Sequence, residues 1–385
     1  MAMVKKMIRW RFTTSANSKL GRFMPPKTLL AAALGYAAYY RRISTSPELI
    51  YQDNSSNRDL IKKIPGLTKR YYPTPWLINT YLQLSYVELK RSVLPRFRYE
   101  RTDQLATADG ACTALHWLGE DLAADTPILI VLHTIIGTPQ TMRFFMDDLQ
   151  RLTGFRVVLC ERRGHGDSVL STPRFNTMGD VEDLKQQIEA VQTRYPQATL
   201  YAAGVSAGTA VLVRYLGEYP ESHPIKAAFL YCPGYDISTA FARSVPFISR
   251  MMTKKLARHF LHSRPDLFEQ LATFRELAAS EDLHQFHYRL YEFAGYSSSE
   301  EYFKHCNPVN FIDHIQIPML IVNSHDDPVC RPQNVYDHVS TITQLPNAVV
   351  AMTRRGSHCT HFSGLWPRSW SHQLAADFFK AQDNA

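Results

Sequence analysis

Acidic residues are missing from the first 47 positions of this 385-residue chain, where nine basic residues stand alone. The remainder carries 34 basic against 35 acidic residues, so the formal charge of +8 belongs to the N-terminal segment. The body lacks the basic footprint that a nucleic-acid surface needs, and no nucleic-acid partner is expected. Cysteine pairing signals are also missing. Cys112, Cys160, Cys232, Cys306, Cys330 and Cys359 are scattered, with no Cys-x-x-Cys and no His at zinc spacing. Neither a disulfide framework nor a zinc module is expected, and a reducing compartment is favoured. No metal and no other cofactor is called for. Finally, no uncharged run reaches the roughly 20 residues that a membrane-spanning helix needs.

What is present is an ordinary globular composition, 45% hydrophobic and 20% charged, enough for a sizeable core. The longest uncharged apolar run near the N-terminus is Thr28–Tyr40, TLLAAALGYAAYY, between Lys27 and the pair Arg41 and Arg42. Snorkelling of Lys27 would extend it back to Phe23. Three readings stand: a membrane anchor or interfacial helix, a cleaved signal or transit peptide, and an amphipathic helix packed on the body. The flanking basic residues favour membrane contact through residues 1–43. The stretch 45–100, with YYPTPW at 71–76, has no clean period and reads as a wrapped extension with short helices.

From Ala111 the pattern becomes regular. Short apolar runs at 127–135, 156–161, 199–205, 227–232, 318–324 and 348–353 alternate with amphipathic stretches at 138–152, 180–195 and 207–219. Runs without polar alternation suit strands buried on both faces, so the pattern implies a mostly parallel sheet with helices on both sides. A last helix is expected around Ser369–Lys380. Some eighty residues from Asp236 to Ile317 interrupt the alternation and are helix-rich, too long for a crossover loop. The expected organisation is a basic N-terminal segment with a short hydrophobic anchor (1–46), an extension (47–110), a core (111–236 and 317–385) and an inserted helical cap (237–316).

The chemistry centres on Gly204-Val205-Ser206-Ala207-Gly208, between a strand and a helix. A serine on a sharp strand-to-helix turn is lifted clear of the sheet at a helix N-terminus, and small flanking residues let strand and helix approach. There the amide of Ala207 can face a developing oxyanion. A serine hydroxyl needs a base, and a strand-borne serine of this kind is followed in sequence by an acid and then a histidine. Asp326 and Asp327 follow the run 318–324, and His358 follows the run 348–353, with His361 as a rival. The assignment is Ser206 as nucleophile, His358 as base and Asp327, which precedes Pro328-Val329, as the orienting acid. Asp326 would instead hold its loop through backbone hydrogen bonds. The second oxyanion donor is placed at the amide of Ile135, in the loop 131–139 that follows an early strand. Thr134 stands there where glycine is usual, so the shape of that loop is open. An unperturbed histidine base would lose activity as pH falls through roughly 6.5. Arg163-Gly164-His165-Gly166-Asp167-Ser168 has no Walker lysine after it and reads as a tight structural turn.

These motifs resemble the YheT-like family of α/β hydrolases, which includes bacterial esterases, plant embryogenesis-associated proteins, yeast medium-chain ethyl-ester synthase/esterases and membrane-anchored lipases. The resemblance runs from about Pro47 to Phe379. It rests on YYPTPW, RRGHGDSVLSTPRFN, GVSAG, RYLGE, GYSSSEEYF, IPMLIVNSHDDPV and the Gly356-Ser357-His358 loop. It implies an α/β-hydrolase fold with Ser206, Asp327 and His358 at the triad positions and Ile135 and Ala207 at the oxyanion positions. It also implies an N-terminal anchor and a small-molecule or lipid ester as substrate, cleaved through an acyl-enzyme. Transfer of the acyl group to an alcohol and a non-catalytic binding role are the alternatives. Thr134, Gly356-Ser357-His358 and Phe286-His287 depart from the family pattern.

Overall fold

The computed structural model describes residues 26–166, 168 and 170–384. The chain divides after Arg42 into two compact units. The first is the helix α1 (Pro26–Ile43), where Pro26 suits the first turn and the alanines after Leu30 favour helix. Arg41 and Arg42 lie in its last turn, where cations suit the helix dipole. Leu29, Leu30 and Leu34 are 52%, 62% and 62% exposed. No helix among the described residues is long and apolar enough to cross a membrane. Residues 1–25 of the expected membrane-contact segment lie outside the described residues.

The second unit is built on a nine-stranded sheet. Its strands are β1 (Glu48–Tyr51), β2 (Arg101–Ala106), β3 (Cys112–Leu118), β4 (Ile128–Leu132), β5 (Arg156–Glu161), β6 (Leu200–Val205), β7 (Ile225–Tyr231), β8 (Met319–Ser324) and β9 (Ala348–Thr353). They lie in the order β1-β9-β8-β7-β6-β4-β5-β3-β2. The neighbours from β5 through β4, β6, β7 and β8 to β9 are parallel. β1, β2 and β3 pair antiparallel at the two ends.

The parallel strands read as unbroken apolar runs because both faces are covered. Along β4, Ile128, Ile130 and Leu132 join one core, and Leu129 and Val131 join the other. One face packs on α6 (Val181–Arg194) and α7 (Ala207–Glu218). The opposite face packs on α2 (Ser55–Lys63), α5 (Pro139–Thr153) and α16 (Trp370–Asp383). Each large aliphatic side chain buried this way contributes about 1.5–3 kcal/mol. The right-handed return of each parallel connection needs a helix, which is why strand and helix alternate in sequence.

One strand, β1, lies where the sequence suggested only short helices, and another, β2, follows that stretch directly without an apolar pattern to announce it. β1 is four residues long and β2 is the polar stretch RTDQLA. Both are edge strands, which need little apolar surface and leave little pattern. Between them run α3 (Pro65–Thr68) and α4 (Thr80–Val93), the latter capped by Asn79, whose side chain accepts from the Tyr81 amide at 2.9 Å.

The connection from β7 to β8 holds the short helices α8 (Ile237–Ala242), α9 (Pro246–Leu256), α10 (Pro265–Phe268), α11 (Phe274–Ala278), α12 (Leu283–Tyr288) and α13 (Ser299–Cys306). They share an aromatic core, including Phe260, Phe268, Phe286 and Phe293, with Ile135 and Ala207. The insertion therefore sits over the carboxyl ends of β4 and β6. α14 (Gln333–Tyr336) and α15 (Val339–Ile342) then lead to β9.

Candidate active site

Ser206 sits between β6 and α7 with φ 52° and ψ −118°, a region that side chains other than glycine rarely adopt. The turn is held by the Ser206 amide, which donates to the Tyr231 carbonyl at 2.8 Å. Its flanking glycines are dictated by space. A Cβ on Gly204 would meet the Thr209 Cα at 2.7 Å, and one on Gly208 would meet the Leu132 carbonyl oxygen at 2.3 Å. Helix α7 thus starts hard against the end of β4, which brings the loop after β4 beside the serine.

The structure brings Ser206, His358 and Asp327 into one chain of hydrogen bonds. His358 Nε2 lies 2.8 Å from Ser206 Oγ, and His358 Nδ1 lies 2.7 Å from Asp327 Oδ2. Asp327 is buried, and its other oxygen accepts from the amides of Val329 at 2.7 Å and Cys330 at 2.9 Å. With Oδ1 so occupied, the imidazole Nδ1–H is the partner of Oδ2, which leaves Nε2 to accept from the serine. Burial would depress the His358 imidazole, but the charge of Asp327 and its hydrogen bond outweigh that and raise it to about 9. The value of roughly 6.5 for an unperturbed histidine is therefore not the one to expect here.

The two rivals have other partners. Asp326 accepts from the Ser357 amide at 2.9 Å, and burial raises its carboxyl above the ordinary range. Ser324 Oγ donates to the Ser357 carbonyl at 2.6 Å, so both backbone groups of Ser357 are gripped just before His358. His361 is buried, with Nδ1 2.9 Å from the Tyr231 hydroxyl and Nε2 2.8 Å from Thr353 Oγ1. Burial pushes its imidazole down to about 3. It braces the loop from below.

Ala207 is the first residue of α7, so its amide has no acceptor within the helix, and Ile135 and Ala207 line the same crevice as Ser206. The loop that carries Ile135 is fixed chiefly by Arg162, which the sequence did not single out, with help from His165 of the tight turn. Arg162, buried, donates to the carbonyls of His133 at 2.9 Å and Thr134 at 2.7 Å. Its backbone amide donates to His133 Nε2 at 3.1 Å, which sets that imidazole's tautomer. His165 Nε2 lies 3.1 Å from the Ile135 carbonyl. Thr134 needs no positive φ: the non-glycine residues with positive φ, among the described residues, are Ser206, Cys232, Ser357 and Cys359. The loop's shape comes from the guanidinium of Arg162 in place of a glycine.

Arg163 joins Asp183 and Asp109, each at 2.6 Å, so the tight turn that starts with Arg163 is tied into the body. Asp167 of that turn lies outside the described residues. His287 is buried against Thr177 Oγ1 at 2.9 Å and takes no part in the site.

The crevice above Ser206 is apolar, walled by Met178, Ala210, Ile237, Phe241, Met252 and Val329. At about 20 Å³ it offers apolar walls beside the serine but not the room of a ligand pocket. A separate cavity of about 650 Å³ opens between α4, α5 and α16, with Thr134, Tyr231 and Cys359 on its lining. Among the described residues, Cys232, His358 and Cys359 are the group whose ligand atoms, one from each, could hold a metal, all lying within 4.8 Å of one another.

The profile of the family described as serine aminopeptidase S33 matches residues 125–362. Phospholipase ABHD3 of Bos taurus is 28% identical over 357 residues, covering 88% of this chain and 85% of its own. Monoacylglycerol lipase ABHD2 of Danio rerio is 27% identical, covering 87% and 83%. Medium-chain fatty acid ethyl ester synthase/esterase 2 of Saccharomyces cerevisiae is 26% identical, covering 67% and 63%. An esterase of Pyrococcus furiosus superimposes with a TM-score of 0.51 at 18% identity, covering 76% of this chain and 96% of that one, which shows the shared α/β-hydrolase fold.

Replacing Gly208 with alanine drives a methyl group into the Leu132 carbonyl, which cannot yield without moving both β4 and the Ile135 loop. Gly208→Ala is expected to lower unfolding free energy by about 3 kcal/mol and to remove turnover. Chemical denaturation and an esterase assay check both.

Proposed function

The chain belongs to the serine aminopeptidase S33 family of hydrolases, and on that premise we propose that it cleaves acyl esters of lipids, with Ser206 as nucleophile. In this reading Ser206 Oγ attacks the ester carbonyl while His358 Nε2 takes its proton. The tetrahedral oxyanion is received by the amides of Ile135 and Ala207. His358 returns the proton to the leaving alcohol, and the acyl group stays on Ser206. Water, activated by His358, then releases the acid. Asp327 holds the Nδ1–H tautomer and stabilises the imidazolium. No cofactor enters. The observation that carries the proposal is the unbroken sequence from Asp327 through His358 to Ser206, at 2.7 and 2.8 Å, beneath an apolar crevice.

The substrate class draws on two supports. The relatives carry the names phospholipase, monoacylglycerol lipase and ester synthase/esterase. The crevice walls are almost wholly apolar, which rewards burial of methylene groups at about 0.8 kcal/mol each. We further propose that α1 brings the protein to a membrane interface. Its exposed leucines and the cations at its end suit a helix lying at the headgroup level.

Ser206→Ala is expected to abolish both ester hydrolysis and fluorophosphonate labelling while leaving the circular dichroism spectrum unchanged. Labelling that persists in this variant would place the nucleophile elsewhere. The base must be neutral to act, and His358 is raised to about 9, so the group is protonated below that value. On a soluble short ester, kcat/KM should therefore rise with pH through an acid limb centred well above 6.5 and near 9. Asp327→Asn should move the limb to lower pH, because the charge that raises His358 is gone; pH–rate profiles measure both. For membrane attachment, full-length protein should sediment with anionic vesicles and a chain starting at Ile43 should stay in the supernatant, with equal activity on the short ester. Equal partitioning of the two would remove α1 from that role.

A further inference from the structure

The environment of His358 includes two thiols that hydrolysis does not use. Cys359 follows the histidine directly, and Cys232 follows β7. Both hold positive φ, 60° and 53°, and the Cys359 amide donates to Cys232 Sγ at 3.3 Å. The Cys232 backbone is fixed by its own amide, which donates to the Val322 carbonyl at 2.7 Å. Two strained turns on separate strand ends thus direct their sulfur atoms toward one imidazole. One sulfur, one sulfur and one ring nitrogen lie within 4.8 Å of each other. Cys232 is fully buried, but Cys359 lines the cavity of about 650 Å³ between α4, α5 and α16, which gives access from outside.

We propose that Cys232, His358 and Cys359 form a binding site for a soft divalent cation of the Zn²⁺ type, and that filling it stops hydrolysis. Two thiolates and an imidazole are a preferred donor set for zinc, with water in the fourth position. Tetrahedral zinc with ordinary bond lengths keeps its donors roughly 3.5–3.8 Å apart, so the three groups need to converge by about 1 Å at most. On binding, each thiol releases one proton to solvent, and below about 9 the His358 imidazolium releases one as well to free the lone pair it donates; nothing is oxidised or reduced. Exclusion of catalysis follows from the ring itself. Nδ1 is used by Asp327 and Nε2 by Ser206. Whichever nitrogen the metal takes, the chain from Asp327 to Ser206 is broken. The inhibitory consequence rests on the reading of His358 as the base; the binding does not.

The test uses the full-length protein kept reduced by a phosphine, which prevents oxidation of the thiols. Zn²⁺ should inhibit hydrolysis of a soluble ester, Mg²⁺ should not, and a chelator should restore the rate. Co²⁺ should bind one per chain and give a thiolate-to-metal charge-transfer band. Measured against each variant's own zinc-free rate, Cys232→Ala and Cys359→Ser should raise the inhibitory Zn²⁺ concentration at least about tenfold, and both should lose the band. Cys359→Ser, at the partly exposed position, carries the comparison if Cys232→Ala does not fold. Inhibition at the same Zn²⁺ concentration in the variants, or no charge-transfer band in the unaltered protein, overturns the proposal. Ser206→Ala separates the two readings. It should keep the band while losing hydrolysis, and if it keeps both, the assignment of the nucleophile falls while the metal site stands.

Discussion

The turn at Ser206 is the constraint on which the other features depend. A serine at φ 52° costs on the order of 1–3 kcal/mol and persists only where its surroundings leave no alternative. Here the surroundings are strand β6 on one side, helix α7 on the other, and no room for a side chain at Gly204 or Gly208. The close approach of α7 to the end of β4 is a consequence of that turn, and it sets the Ile135 loop beside Ser206. The parallel sheet matters because it delivers β4, β6, β8 and β9 with their carboxyl ends on one side. Ser206, the Ile135 loop, Asp327 and His358 each follow one of those ends.

Backbone strain is concentrated around the same point. The non-glycine residues with positive φ, among those described, are Ser206, Cys232 and the two neighbours of His358, Ser357 and Cys359. Each is tied by its own backbone or its neighbour's: Ser206 to Tyr231, Cys232 to Val322, Ser357 to Asp326 and Ser324, Cys359 to Cys232. The histidine is thus flanked by two left-handed residues, which throw its ring out of the loop toward the serine. A relaxed loop would save that strain and lose the aim.

The sheet core and the order of Ser206, Asp327 and His358 along the chain were readable in the sequence because both depend on local rules. An apolar run of six needs burial on two faces, and Gly-x-Ser-x-Gly between a strand and a helix needs a sharp turn. The choice between Asp326 and Asp327 was not readable from residue type, since adjacent carboxylates in a loop differ only in direction. The structure separates them by their partners, His358 for one and the Ser357 amide for the other. Arg162 was missed for a related reason. An arginine after a strand gives no sign that it will fold back on the carbonyls of His133 and Thr134, thirty residues upstream. β1 was missed because its ladder partner, β9, lies far away in sequence, and β2 because a polar edge strand leaves little apolar pattern.

That distance has a consequence for how the protein comes into being. β1 pairs with β9, Glu48 opposite Met352, and the side chains of Tyr71 and Trp76 donate to the carbonyls of Phe362 and Leu365. Thr80 Oγ1 donates to the carbonyl of Asp326 at 2.6 Å, beside Asp327. A segment made early in translation is therefore completed by partners made near its end. Long-range pairing of this kind is slow, because chain closure must precede any gain from contact. During synthesis the N-terminal extension waits without its strand partner, and the acid and histidine loops acquire their support only after the ribosome has passed Leu365. The enzyme cannot become active piecemeal from its N-terminus. Its competence arrives only after the last strand of the sheet, and a nascent chain halted before β9 carries the Ser206 turn in sequence without His358.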